Sequence, residues 1–226
     1  MRFRLTKHTG LFVILCFLFL GCEKDILIPQ YTGFGDNYLE IRVNTTWNYR
    51  VDSVFSDSDT FGVKTKYYER HVIEDSVLIR NELTYMVQVY RSDDSLGTFV
   101  KFRNYNLILN SDKIEYESPK LSLVILTTPL EMGRSWDNQH TECQYRVSRF
   151  IGDVLYDTDL NGTKYKNVVN VEHCSFQVFD RNNRHNCLYA EKVGLVRESI
   201  SHGTYNRLGN YRTLTSLTRS LINYAY

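Results

Sequence analysis

The chain has 226 residues, with 27 Lys and Arg against 26 Asp and Glu, and it holds 17 Tyr and 12 Phe but only 3 Pro. A near-neutral balance without clustered bases excludes the electrostatic footprint of a nucleic-acid binder or of a protein held on anionic lipid by charge. The wealth of Thr, Val, Tyr and Phe favours strands, and the length suits one domain, or two small halves sharing a core.

The N-terminus is basic (Arg2, Arg4, Lys7), with no acidic residue before Glu23. Leu11 to Leu20 forms a run of ten apolar residues. A helix needs about 20 to cross a bilayer, so this run reads as the core of a secretory signal. It ends in Leu18-Phe19-Leu20-Gly21-Cys22. Gly21 places a small side chain beside the scissile bond, and Cys22 supplies a thiol able to carry a thioether-linked diacylglycerol. The segment resembles the lipobox of bacterial lipoproteins, Phe19 being bulkier than most lipoboxes carry there. The resemblance implies a signal peptide over 1–21, a lipidated Cys22 with a tether over 22–40, and an address in the bacterial cell envelope as an outer-membrane lipoprotein. Each buried acyl CH₂ adds about 0.8 kcal/mol, so two or three chains anchor firmly. Loss of the three N-terminal bases leaves 24 basic against 26 acidic residues, a net of −2. Glu23-Lys24-Asp25 resembles the acidic surface-export signal of Bacteroidetes lipoproteins, but Lys24 breaks the run, and both the periplasmic and the surface face stay open.

From Ile41 onward strands are expected in succession. Trp47 to Phe55 alternates large apolar with polar residues, the mark of a half-buried strand. After a polar turn at 56–59 come Phe61 to Val72, Leu83 to Tyr90, a turn at Ser92 to Ser95, then Phe99 to Phe102, Leu107 to Leu109, Ile114 to Tyr116 and Leu121 to Leu126. A second series follows from Trp136: Cys143 to Ile151, Lys164 to Val171, Cys174 to Phe179, Leu188 to Ala190, Leu195 to Ile200 and Leu214 to Ala225. No window shows a helical apolar period, so little helix is expected, at most a turn within 31–40 or near 129–133. The predicted fold is all-β: antiparallel meanders forming a curved sheet, half-barrel or sandwich of ten to fourteen strands over 41–226.

The two halves look alike. Ile41 to Trp47 parallels Pro129 to Trp136, and each Trp leads into a long strand. The 89-residue offset between the two tryptophans fits a duplicated meander with half-repeats 41–128 and 129–226. The mid-chain PLEMGRSW (129–136) and the late YAEKVGLVRESI (189–200) resemble uncharacterised envelope lipoproteins of the Bacteroidetes, in which Pro-Leu-x-x-Gly-x-x-Trp opens a β domain and Gly-Val-Gly-Leu-Val lies near its end. The first copy here has Asn44 where Gly is usual, and Glu191-Lys192 precedes Val193-Gly194. No activity comes with that resemblance.

Of five cysteines, Cys143, Cys174 and Cys187 remain once Cys16 is removed and Cys22 is acylated. A hairpin turning at Asp180 to Asn183 would set Cys174 opposite Cys187, within disulfide reach. His140 and Cys143, with His173, Cys174, His185 and Cys187, supply zinc-type ligands, but no C-x-x-C is present, and His173 and Cys174 would point to opposite faces of a strand. Asp153 to Gly162 spaces oxygens as a calcium loop does but lacks the closing Glu, and reads as a hairpin loop. There is no G-x-S-x-G elbow, phosphate-cradling loop or dinucleotide fingerprint. No catalytic residue, metal site or cofactor is therefore assigned. Tyr67, Tyr68, Tyr85, Tyr90, Tyr105, Tyr116, Tyr205 and Tyr211 are candidates to line a concave sheet face. The expected role is non-enzymatic: a membrane-anchored lipoprotein with a structural role or a protein, glycan or lipid partner. The alternatives are an envelope hydrolase acting on glycan or peptide, and a lipid carrier, which requires an unfilled apolar interior.

Overall fold

The computed structural model describes residues 38–39, 41–57, 62–79, 82–119, 121–139, 146–173, 181–205 and 211–226. The expected signal peptide, Cys22, Cys143 and Cys174 lie outside them. Twelve strands are described: β1 (Thr46–Asp57), β2 (Val63–Ile79), β3 (Glu82–Ser92), β4 (Val100–Leu109), β5 (Lys113–Ser118), β6 (Leu121–Thr127), β7 (Ser135–Gln139), β8 (Arg146–Leu160), β9 (Thr163–His173), β10 (Arg181–Ala190), β11 (Gly194–Tyr205) and β12 (Tyr211–Ala225). They form one antiparallel sheet in the order β6-β5-β4-β3-β2-β1-β12-β11-β10-β9-β8-β7. Each half of the chain contributes six of these strands as a meander, and the β1–β12 ladder joins the halves. The fold is the curved all-β sheet that the alternation predicts.

Alternation fixes which face each strand turns inward. In β1, Trp47, Tyr49 and Val51 are buried while Arg50 is exposed. Their neighbours across the ladder are His71, Glu69 and Tyr67 on β2, which therefore share that face. The core gathers Ile73, Val87, Ile114, Leu126, Ile151, Val168 and Val171 with these aromatics.

The sheet curls until its outer strands meet without a backbone ladder. Asn138 of β7 accepts from Val124 N of β6 through Oδ1 at 2.7 Å and donates through Nδ2 to Val124 O at 3.2 Å. Trp136 Nε1 donates to the same carbonyl at 2.9 Å, and so does Arg149 Nη1 of β8 at 3.1 Å. One amide side chain thus stands in for the missing ladder pair.

Two turns are fixed by backbone conformation and close packing. Asn161-Gly162 closes the β8–β9 hairpin with φ of 56° and 82°, the pair of positive angles that a two-residue type I′ turn needs. Gly194 has φ 89°, and a Cβ there would stand 2.6 Å from Leu39 Cδ2. Trp47 Nε1 donates to Val193 O at 2.9 Å and Tyr49 OH to Leu195 O at 3.0 Å, so the turn before β11 is clamped onto β1. Two expectations fail. Asp153 to Leu160 is not a loop but the outer part of β8, paired with β9, and only Asn161-Gly162 turns. Arg181, Asn182 and Asn183 are not a turn but the start of β10, paired with Thr204, Gly203 and His202, because the ladder with β11 outweighs the turn preference of Asn. The register sets Val171 opposite Cys187, a buried thiol, and the expected Cys174–Cys187 bridge falls on a residue outside those described.

Gly194→Ala is expected to destabilise the domain by about 1–3 kcal/mol, from the strained φ together with displacement of Leu39. Urea unfolding tests this; an unchanged midpoint would show that the turn tolerates a side chain.

Candidate functional site

The curl encloses a cavity of about 500 Å³. Its apolar wall includes Leu107 of β4, Tyr116 of β5, and Leu121, Leu123 and Ile125 of β6, with Ile200 and Leu217 across from them. Its floor is a connected set of charged side chains that the ladders bring side by side. Cys187 lies opposite Glu198, Glu198 opposite Arg219, and Arg219 opposite Val51. On the other side Glu69 lies opposite Arg91, and Val89 separates His71 from Arg103. A bulge at Val196, where pairing steps from Arg197 to Leu195, lets Leu195 and Glu198 line the same cavity although they are three residues apart.

Glu69 is the hub. Its residue is 1% exposed, and a buried carboxylate costs several kcal/mol unless it is paired and hydrogen-bonded. Here Oε2 accepts from Arg219 Nη2 at 3.0 Å and Nε at 3.2 Å, and Oε1 from Arg91 Nη2 at 3.0 Å; Arg103 Nη2 stands 3.9 Å away. His71 Nε2 lies 3.2 Å from Oε2, and its Nδ1 lies 3.0 Å from Tyr105 OH. A neutral imidazole satisfies both contacts, with Nε2–H donating to Glu69 and Nδ1 accepting from the phenol. Burial would raise the Glu69 carboxyl, but the His71 hydrogen bond and the arginines hold it well below the ordinary range. Burial pushes His71 down to about 4. The Arg91 guanidinium sits 4.1 Å from the Tyr67 ring and 3.7 Å from Phe102, a cation–π sandwich at the cavity mouth.

The network continues through Arg219 Nη1, which donates to Glu198 Oε2. Glu198 Oε1 lies 2.8 Å from His185 Nε2, and Cys187 Sγ lies 3.3 Å from that nitrogen. Burial would raise Glu198, yet Arg219 and His185 hold it at about 2; burial pushes the Cys187 thiol up to about 12. His185, Cys187 and Glu198 place their ligand atoms within 4.8 Å of one another, a donor set zinc accepts. Glu198 is already held by the Arg219 cation and by His185, which also lies against Cys187, so the three form a hydrogen-bonded corner of the cavity.

Of the tyrosines singled out in the sequence, Tyr67, Tyr105 and Tyr116 line the cavity. Tyr85 is buried in the core. Tyr90 donates to Glu74 Oε1 in an exposed contact, and Tyr68 stacks with Lys66. The side chains of Tyr205 and Tyr211 lie outside the described residues. The charged floor was not singled out. Its signal was the inward phase of β2, where Glu69 and His71 occupy positions in step with Tyr67 and Ile73.

Comparison with protein-family models finds no match to this chain, and comparison with curated proteins finds none either. Among solved structures, the chain is similar to one from Bacteroides fragilis described as an exported protein with a YmcC-like fold: 9% identity, TM-score 0.49, covering 84% of this chain and 99% of that one. It is also similar to one from Parabacteroides distasonis described as a lipoprotein: 9% identity, TM-score 0.41, covering 84% and 98%. Both organisms are Bacteroidetes.

The floor makes stability depend on pH. An unfolded histidine takes a proton near pH 6.5, whereas His71 in the fold stays neutral down to about 4. Stability is therefore complete above about pH 6.5 and falls as pH drops toward 4, by up to about 1.4 kcal/mol per pH unit. Glu198, held at about 2 against an ordinary 4.5, adds a second loss on acidification from 4.5 toward 2. Thermal melts across this range should show both phases, and His71→Gln should abolish the upper one. A melting temperature flat from pH 6.5 to 4 would contradict the neutral buried imidazole.

Proposed function

We propose that the mature chain is a lipid-anchored lipoprotein of the bacterial cell envelope, held to the outer membrane through Cys22, whose β domain binds a small apolar or amphiphilic molecule inside the curl of its sheet. The observation that carries this reading is the cavity itself. At about 500 Å³ it falls within the roughly 300–1,000 Å³ of small-molecule sites, and it joins apolar walls to a few fixed polar groups as those sites do. A lipid-carrier role demanded such an interior.

One observation favours a hydrolase instead: two His–carboxylate pairs, His71 with Glu69 and His185 with Glu198, line the cavity. Their chemistry argues for binding. Both ring nitrogens of His71 are engaged, by Glu69 and Tyr105, which leaves none to take a substrate proton. Cys187, beside His185, has its thiol pushed up rather than down, the opposite of an activated nucleophile.

Native mass spectrometry of protein drawn from its own membrane should show loss of residues 1–21, added acyl chains on Cys22, and about one further small molecule per chain. Leu123→Trp, which fills the wall, should cut recovery of that molecule several-fold. A Cys22 without acyl chains would overturn the anchor, and equal recovery from the Leu123→Trp protein would overturn the cavity as the binding site.

A further inference from the structure

The occupant's chemistry is written in one residue that the ionic floor does not absorb. Arg149 lines the cavity from β8 and is 2% exposed. Its guanidinium stays protonated at any physiological pH and offers five N–H donors. Nη1 donates to Val124 O at 3.1 Å, while Nε is buried without a partner. Even the Val124 contact is crowded, since that carbonyl also accepts from Trp136 and Asn138 and has two lone pairs to give. Among the described residues no carboxylate pairs with Arg149. Glu198 is the acid whose field reaches it, and both Glu198 oxygens are already held, by His185 and Arg219.

A buried cation without a counter-charge costs several kcal/mol, and a guanidinium does not escape the cost by losing its proton. Among the described residues the lining as a whole carries the same imbalance: Arg91, Arg103, Arg149 and Arg219 against Glu69 and Glu198. Among the described residues the lining is thus short of negative charge, and shortest at Arg149. Beside it lies β6, whose Val124 carbonyl holds Nη1 and whose Leu121, Leu123 and Ile125 form the apolar wall. A buried cation and an aliphatic wall brought side by side through the Val124 contact fit a molecule with the opposite layout.

Building on the binding reading above, we infer that the cavity takes a single-chain acidic amphiphile, its carboxylate or phosphate head bound by the Arg149 guanidinium and its chain lying along Leu121, Leu123 and Ile125. A planar guanidinium meets either head with two parallel hydrogen bonds. A volume in the lower half of the small-molecule range suits one chain.

The test is calorimetric titration of the full chain carrying Cys22→Ser, which removes the acylation thiol and keeps every lining residue. The probes are dodecanoate, dodecyl phosphate and dodecanol, at about pH 8 so that the acids are ionised. At least one acid should bind more than about tenfold tighter than dodecanol, and Arg149→Met should weaken that acid by about 10- to 100-fold, down to the level of the alcohol. The better of the two acids identifies the head. Arg149→Met should also melt higher than the parent without ligand, because the uncompensated charge is gone. Should that variant fail to fold, Arg149→Lys keeps a charge but loses the fork, and should bind the acid more weakly than the parent while still preferring it to dodecanol. Equal affinity for acid and alcohol, or an acid preference that survives Arg149→Met or is unaltered in Arg149→Lys, overturns the head-group assignment while the cavity reading stands. A folded protein that binds none of the three overturns both.

Discussion

A carboxylate placed where water does not reach governs this molecule. Glu69 draws Arg91 from β3, Arg103 from β4 and Arg219 from β12 toward one point on β2, and Arg219 hands the network on to Glu198 of β11 and His185 of β10. Strands far apart in sequence are held to one curvature because their charges must converge. The same constraint keeps the middle of the sheet from filling with aliphatic side chains. Ion pairs need their partners at hydrogen-bonding distance, and packing Leu or Phe among them would strip a buried charge of its compensation. A polar floor beneath an apolar wall is what remains, and the hollow between them follows from it.

Much of the architecture was legible because it rests on local rules. Period-two alternation in Trp47 to Phe55 marks a strand whichever neighbours it finds. The site was less legible, for two physical reasons. Glu69 and Arg219 are 150 residues apart, and only the register of β2 on β1 and of β1 on β12 brings them together. Bulges then reverse the parity on which a one-strand reading depends. The extra residue Val196 turns Leu195 and Glu198 to one side, and Ile222 is bypassed where Tyr49 pairs with Leu221. Tyrosine composition pointed toward a lined concavity, yet it could not separate Tyr67 and Tyr116, which face inward, from Tyr68 and Tyr90, which do not.

The two places where the halves of the chain meet are treated unequally. β1 and β12 share a full ladder, whereas β6 and β7 meet through the Asn138 amide, the Trp136 indole and Arg149. An exposed edge invites pairing with other chains, and here the hydrogen-bonding groups of Val124 are covered by side chains instead of by a strand. The covering residues sit on β7 and β8, so the second half of the chain caps the edge of the first.

The long ladder between the first and last strands sets the order in which the molecule can be completed. Thr46 pairs with Ala225, so the contact that unites the two meanders spans nearly the whole domain and carries the largest loop-closure entropy in it. Until the fifteen residues of β12 arrive, β1 presents a bare edge on one meander and β11 on the other. Contacts of such separation form slowly, and bare edges are the surfaces through which incomplete β proteins associate. A chain of this topology spends its riskiest interval waiting for β12.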